Sequence, residues 1–517
     1  MSIQNTMRSP KALLWTFIPI AALARLLQTP VLKISPDEAY YWTWSRRLAV
    51  CYYDQPGMVA WVDWLFALPF DRTTEFTLRL PAVLLTALTT WILYRLYLEY
   101  RKDEEEAVVF AVMFSLLPFA WLVGIMMIHD TTLFPWMALS FWMIVRLANH
   151  DGRAKDWFFL AIALTGAMYA KFSAFMIVWG LVLYMILSPK GRRWWKTWPP
   201  YAAGLLSAVL YSPVIIWNMQ NDWISVHAVR ELTDVSEVTV LDRARYFTEY
   251  VLSQIGMFSV VLGIVAFAAL IKGARDAWKD PLDDEALLPV CLALPIFLYF
   301  LVNSLKSHVY GNWPGVAYIP LGMIAMKEAA ASFRFGRTEG IFGTKLVKAG
   351  VIVNLVVLIL GTLVIHGAFR PVFGYIEETF DAEDRIDWRM DLDLRGWEAM
   401  ADLVEEARPR ADFIMARRYQ VASLLEWELP DRPFVECYNT GQRGNQWDLW
   451  STLPEKKGQT ALFVDYKRLP EEVEGSFREM EPVVAPFVLG DPKRPVKKWY
   501  IYLGKDFSGP EKSNSQK

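Results

Sequence analysis

Eleven apolar stretches of near-bilayer length run through this chain, at about 12–30, 78–98, 107–126, 131–148, 157–170, 172–188, 200–217, 251–271, 286–303, 313–326 and 347–366. A helix rising 1.5 Å per residue needs roughly 20 apolar residues to cross a hydrocarbon core, and the fifth, sixth and tenth stretches are short by that measure. The pattern predicts a polytopic α-helical membrane protein of about 11 transmembrane helices. Composition agrees, since 54% of the 517 residues are hydrophobic, 15% are aromatic and 24 are Trp, more apolar surface than a soluble domain can bury. The first stretch keeps Arg25 and lacks a small-residue cleavage site, which reads as a retained anchor.

Orientation follows from the short loops, because Lys and Arg concentrate on the cytoplasmic side. Arg8 and Lys11, Arg101 and Lys102, Arg153 and Lys155, the run Lys190 to Lys196, Lys272 to Lys279, and Arg334 to Lys345 fall on alternate loops. The N-terminus is therefore expected in the cytoplasm. The loop at 31–77, the turns at His129-Asp130 and Lys171, the loop from Asn218 to about Glu249 and the segment Asn303 to Asn312 face outward. Eleven spans then put the tail outside as well. The expected division is a membrane domain over 1–367 and a small outer soluble α/β domain over 368–517. Within that tail, 412–416 and 461–465 read as strands, Trp397 to Ala407 as a helix, and Ser508 to Lys517 as a frayed end.

A formal net charge of −2 with scattered basic residues excludes the broad positive field of a nucleic-acid binder. Cys51, Cys291 and Cys437 are too far apart for a metal-ligand spacing or a disulfide framework and take no assigned role.

Polar residues with chemical potential collect on the outer loops. Asp37-Glu38 stands where the first span leaves the bilayer, at the start of a helix expected over Asp37 to Leu48. Two carboxylates fit there either as capping residues favoured by the helix dipole or as groups acting on a lipid-borne substrate. Gly57 to Phe70 reads as an amphipathic helix in the membrane interface, with the polar turn Tyr52-Tyr53-Asp54-Gln55-Pro56 before it. His129-Asp130 precedes the fourth span, where Asp130 is an N-cap or a functional acid. Lys171 sits between two short spans, as a snorkelling lysine or as a cation for substrate. Trp217-Asn218, Trp223 and His227 offer stacking faces and donors suited to a sugar or a phosphate, or else an aromatic belt. Arg243, Arg245, Lys306, His308 and Asn312 complete the outer set.

The ordered motifs Asp37-Glu38-Ala39-Tyr40-Tyr41, Tyr52-Tyr53-Asp54-Gln55-Pro56, Arg79-Leu80-Pro81-Ala82, His129-Asp130, Lys171, Trp217-Asn218 with Trp223, and Asn312-Trp313-Pro314 resemble those of GT-C glycosyltransferases. The resemblance is nearest to bacterial enzymes related to protein O-mannosyltransferases and to the aminoarabinose transferase that modifies lipid A. In the tail, Arg418-Tyr419-Gln420 and Asn445-Gln446-Trp447-Asp448-Leu449-Trp450 resemble the outer domain of one bacterial branch. The resemblance implies transfer of a sugar, with inversion, from a polyprenyl-phosphate carrier on the outer face of a bacterial inner membrane. The implied acceptor is lipid A or lipopolysaccharide core, with protein hydroxyls second. It implies Asp37 and Asp130 as catalytic residues, with Asp37 the base for a hydroxyl acceptor, and Lys171, Arg243, Arg245 and Lys306 as cations for the donor phosphate. Glu38, Tyr52, Tyr53, Asp54, Gln55, His129, Trp217, Asn218, His227, His308 and Asn312 are the expected substrate contacts. The turn departs from relatives at Gln55 and Gly57, where a basic or imidazole side chain and a second proline are common. No cofactor is obligatory, and a divalent metal is compatible with Asp37, Asp130, His129 and His308. A transporter or flippase of a lipid-linked sugar is the alternative, set back by the absence of repeated halves and by carboxylates at span ends instead of the midplane.

Overall fold

The computed structural model describes residues 9–231, 238–368, 394, 396–440, 443–483, 487–491 and 494–509. Of the expected frayed end, 508–517, only 508 and 509 are among these described residues, and the expected domain boundary at 367/368 falls at the end of the run 238–368. The chain divides into two compact units, one of Met1–Pro30 with Gln55–Thr362 and one of Val31–Asp54 with Leu363–Lys517. This division differs from the sequence expectation at 31–54, which the structure groups with the tail.

In the first unit, helices occupy all eleven apolar stretches. Five are long and apolar enough to cross a bilayer unaided: Glu75–Arg101, His129–Asn149, Pro199–Gln220, Asp284–Asn303 and Thr344–Ile365. The protein is thus a multi-pass membrane protein. Four stretches depart from single straight spans, the sixth by opening as the 3-10 turn Phe172–Phe175 before Met176–Leu187. The third breaks into Glu104–Ser115 and Pro118–Val123. Leu117 between them is extended, because the ring of Pro118 disfavours the helical conformation in the residue before it. The tenth begins as a 3-10 turn, Trp313–Ala317, and continues as Tyr318–Arg334. The eighth, 251–271, is not one helix: Val240–Phe258 and Val260–Lys279 meet at an angle of 106°. Ser259 turns the chain there at φ 89°. Gly263 then lies so close to the Ile255 carbonyl that a Cβ would stand 2.6 Å from it. Hydropathy runs on smoothly across that corner, so nothing in the apolar pattern announces it. The stretch Asn218 to Glu249, expected as a loop, carries Ile224–Glu231 and the first half of Val240–Phe258.

The second unit holds a six-stranded sheet of β1 Phe413–Ala416, β2 Glu436–Cys437, β3 Ala461–Asp465, β4 Phe477–Pro482, β5 Phe487–Asp491 and β6 Arg494–Phe507. The order is β2-β1-β3-β6-β4, with β5 also on β6. β2, β1 and β3 are parallel, with Phe413 opposite Ala461 and Met415 opposite Glu436. β6 runs antiparallel to β3, β4 and β5. β1 and β3 are buried throughout, as expected for parallel strands covered on both faces. Helix Trp397–Ala407 buries Trp397, Met400, Ala401, Val404 and Ala407, a three-and-four spacing that places one apolar stripe on the unit's core.

Candidate functional site

Within the first unit, three chain breaks deliver three polar side chains to one point. Helix His129–Asn149 starts after Ile128, which is extended. The Thr131 hydroxyl lies 2.6 Å from the Met126 carbonyl and 2.9 Å from that of Val123, tying the helix start to the preceding turn. Asp130, in that first turn, is 3% exposed. Helix Ala154–Ala170 ends at Lys171, whose extended backbone (φ −158°, ψ 135°) separates it from the 3-10 turn Phe172–Phe175. Lys171 Nζ donates to both carboxylate oxygens of Asp130, at 2.8 and 3.0 Å. Asn312, just before the 3-10 turn Trp313–Ala317, donates its amide to Asp130 Oδ2 at 3.0 Å.

Neighbours hold these three in place. The Gln55 side-chain carbonyl accepts the backbone N–H of Phe172 at 3.1 Å, so the turn at 55 is tied to the residue after Lys171. A Cβ on Gly315 would meet the Phe119 ring at 3.2 Å, a tight contact, and would stand 3.8 Å from Asp130 Oδ1, so the turn packs closely on both. Gln254 donates to the Gly311 carbonyl at 3.1 Å, and the Tyr318 hydroxyl lies 2.9 Å from both that carbonyl and Gln254 Oε1. Gln254 and Tyr318 escaped the sequence reading because each lies inside an apolar helix, where one polar residue has no local signature. His129 is 4% exposed beside this cluster.

The hydrogen bonds and ion pair of Asp130 go to Lys171 and Asn312, and none of the other outer cations is among these partners. Arg243, Arg245 and Lys306 are exposed. Arg245 Nε and His308 Nε2 lie 3.5 and 3.6 Å from the two oxygens of Glu249. His308 also packs on the Tyr310 ring, with centroids 4.7 Å apart. Such exposed pairs contribute little stability and leave the charges accessible. Asn218 closes the end of its own helix, donating to the Val214 carbonyl at 3.1 Å and accepting Trp223 N–H at 2.7 Å. Trp217 is half-buried on the same helix, and His227 is exposed on the next.

The second unit holds the remaining expected residues, Asp37, Glu38, Tyr52, Tyr53 and Asp54. Ser35 caps helix Pro36–Ser45, shorter than the expected Asp37 to Leu48. Glu38 N–H donates to Ser35 Oγ at 3.2 Å, and the Glu38 carboxylate accepts Ser35 N–H at 3.1 Å, a reciprocal capping box with Glu38 fully buried. Asp37 is exposed on the same first turn. The Tyr52 hydroxyl serves the backbone that ends this helix, accepting Ala49 N–H at 2.9 Å and lying 3.0 and 2.9 Å from the carbonyls of Trp44 and Arg47. Asp54 accepts from the Tyr40 hydroxyl at 2.6 Å and from Arg443 at 2.8 Å. Burial raises the Asp54 pKa, against the pull of Arg443. Gln446 accepts Tyr53 N–H at 2.7 Å, and its own N–H donates to the Tyr40 hydroxyl at 2.9 Å. The tail motif around Asn445 to Trp450 is therefore a seat for residues 40–54. Among the described residues no three His, Cys, Asp or Glu side chains gather as a metal-holding group.

Comparison with known proteins gives these sites a context. Residues 54–217, which include Gln55, Asp130 and Lys171, match the family described as dolichyl-phosphate-mannose-protein mannosyltransferase. The chain is 23% identical over 290 residues to the lipid A galacturonosyltransferase RgtD of Rhizobium johnstonii. That match covers 56% of this chain and 59% of RgtD, so the chain spans about three fifths of the length of the curated relative it matches. Its fold is similar to that of ArnT from Cupriavidus metallidurans, with a TM-score of 0.60, 15% identity, and coverage of 94% of this chain and 97% of that one. A looser similarity, TM-score 0.47 at 10% identity over 83% of this chain and 65% of the other, links it to the oligosaccharyltransferase AglB of Archaeoglobus fulgidus. The resemblance read in the sequence therefore holds as a similarity: the chain resembles such glycosyltransferases in sequence over residues 54–217 and in fold over most of its length.

Proposed function

We propose, from the resemblance of the chain to GT-C glycosyltransferases, that it transfers a sugar with inversion from a polyprenyl-phosphate donor to an envelope acceptor, lipid A or lipopolysaccharide core before protein, on the outer face of a bacterial inner membrane. The observation that carries the reading is the buried cluster of Asp130, Lys171 and Asn312, assembled where a span starts, a span ends and a loop turns. A buried ion pair is poor value for stability alone, because desolvating both charges offsets most of their attraction. At the end of membrane helices it is better understood as a fixed polar floor for a substrate whose phosphate must sit at the interface. The name of RgtD supports lipid A as the acceptor class. The alternation of basic loops supports eleven spans, a cytoplasmic N-terminus and an outer tail.

In the proposed reaction an acceptor oxygen attacks the anomeric carbon from the face opposite the carrier. The bond from that carbon to the phosphate oxygen breaks, and its electron pair leaves with the carrier phosphate. Asp37, exposed at its helix start, accepts the acceptor's proton; if the acceptor is itself a phosphate, already anionic, Asp37 positions it. Lys171, held by Asp130, and the exposed Arg243, Arg245 and Lys306 offset the charge gathering on the phosphate. The leaving group then needs little protonation.

The test is Asp37→Asn in the purified, membrane-inserted protein, with transfer followed by mass spectrometry of envelope lipids and glycoproteins. Loss of a general base is expected to slow transfer about 10²- to 10⁴-fold with the folded protein still in the membrane. Full activity in Asp37→Asn would remove the catalytic assignment. The same mass difference identifies sugar and acceptor together.

A further inference from the structure

The carboxyl ends of the parallel strands in the second unit carry polar groups that the proposed transfer does not use. Open α/β sheets bind ligands outside these ends, where the strand order reverses. In the order β2-β1-β3 that point is β1, since the chain goes from β1 to one side and returns from β2 to the other. Arg417 and Arg418 leave β1 there, Asn439 and Thr440 follow β2, and Asp465 and Tyr466 close β3.

Three oxygens in this group are buried with no hydrogen-bond partner: Asn439 Oδ1, Thr440 Oγ1 and Asp465 Oδ2. Buried polar atoms in folded proteins are nearly always paired, so three orphans at one end of one sheet call for a ligand. Their partners are fixed around them. Asn439 Nδ2 lies 3.2 and 3.3 Å from the Asp448 carboxylate, which decides which amide atom is the nitrogen and leaves the oxygen for something else. Arg417 donates twice to the Thr440 carbonyl, at 3.2 and 3.1 Å, joining the ends of β1 and β2. Asp465 is fully buried, and its Oδ1 accepts Tyr466 N–H at 2.6 Å and Lys467 N–H at 3.2 Å. Arg418 lies 3.7 Å from the same oxygen and 5.0 Å over the Tyr466 ring, joining β1 to β3.

We infer that this strand-end face is a binding subsite for a sugar ring. All three oxygens can accept hydrogen bonds and the Thr440 hydroxyl can also donate, so a ring of hydroxyls, each both donor and acceptor, satisfies the group. With neighbouring strands about 4.8 Å apart, β2 and β3 place their acceptors about 10 Å apart across β1, a spread that one sugar ring with its hydroxyls bridges. The guanidinium groups of Arg417 and Arg418 at this face offer donors for ring or carboxylate oxygens. Tyr419, the first residue of the helix after β1, packs its ring 4.4 Å from that of Tyr40, one helical turn from Asp37. Naming the sugar as part of the acceptor rests on the transferase reading; the binding of a sugar does not.

The experiment uses the full chain in a detergent without a sugar headgroup, in the Asp37→Asn background, so that binding is read without turnover. Galacturonic acid, glucosamine, glucose and inorganic phosphate are offered singly, and binding is followed by saturation-transfer NMR. At least one sugar is expected to bind, and Thr440→Val and Asp465→Asn are each expected to weaken it about tenfold, the effect of one buried hydrogen bond. Thr440→Val preserves shape, so it carries the test if Asp465→Asn fails to fold. No sugar binding, binding unchanged in Thr440→Val, or binding of phosphate alone would each overturn the proposal. Normal transfer by Asp37→Asn would instead overturn the catalytic reading and leave this one standing.

Discussion

At the scale of single residues, the Asp130 cluster joins positions 41 and 182 residues apart in the chain. Its ion pair makes a sharp stability prediction. Lys171→Met leaves a carboxylate buried without its cation, which typically costs about 3–5 kcal/mol. Adding Asp130→Asn removes the stranded charge and is expected to restore most of that loss, yet not the transfer activity. Thermal unfolding of the two variants in detergent, beside a transfer assay, checks both halves. A Lys171→Met protein as stable as the parent would show that the pair is not energetically buried. Sequence alone could name Asp130 and Lys171, since each ends an apolar run, but each had an equally good local explanation as a cap or a snorkelling lysine. Only their separation of 2.8 Å decides between company and coincidence.

At the scale of elements, helix Pro36–Ser45 shows how one segment depends on distant chain. The Tyr40 hydroxyl both donates to Asp54 and accepts Gln446 N–H, so it links the helix to residue 54 and to the tail motif. Its ring also stacks on Trp447, with centroids 5.7 Å apart. Tyr40→Phe keeps the rings packed, leaves the buried Gln446 N–H without its partner and leaves Asp54 with Arg443 alone, a loss of about 1–3 kcal/mol. Amide exchange over 36–45 is then expected to accelerate by roughly tenfold or more, because the helix opens more often. Unchanged exchange there would mean that the helix stands on its capping box alone. The box itself was legible, since Ser35, Pro36 and Glu38 at the first turn are a local signature. The corner at Ser259 was not, because a helix can turn between two equally apolar halves without any change in hydropathy.

At the scale of the whole molecule, the second unit carries a pH dependence of its own. Glu426, almost fully buried, has its pKa raised from 4.5 to about 7 by burial, with Arg46 and the N–H of Val435 pulling the other way. Between those two values the native state keeps a proton that the unfolded chain has released. Stability contributed by this site is therefore full below about 4.5 and falls as pH rises through about 7. Glu426→Gln, a neutral side chain of the same shape, is expected to flatten that slope. Hydrogen exchange over 413–437 in the intact protein between pH 5 and 8, corrected for intrinsic rates, checks it. A parent profile already flat would remove the prediction.

The sequence by itself determined where the apolar segments lie, where helix Trp397–Ala407 and strands β1 and β3 form, and which polar residues punctuate the outer loops. These are local matters of hydropathy, periodicity and capping, written within one or two turns of chain. Tertiary structure decided that residues 31–54 group with the tail, that Asp130 meets Lys171 and Asn312, and that three acceptors gather at the strand ends. Those outcomes depend on which surfaces pack, because a charge or an unpaired oxygen acquires its meaning from partners that packing brings within about 3 Å.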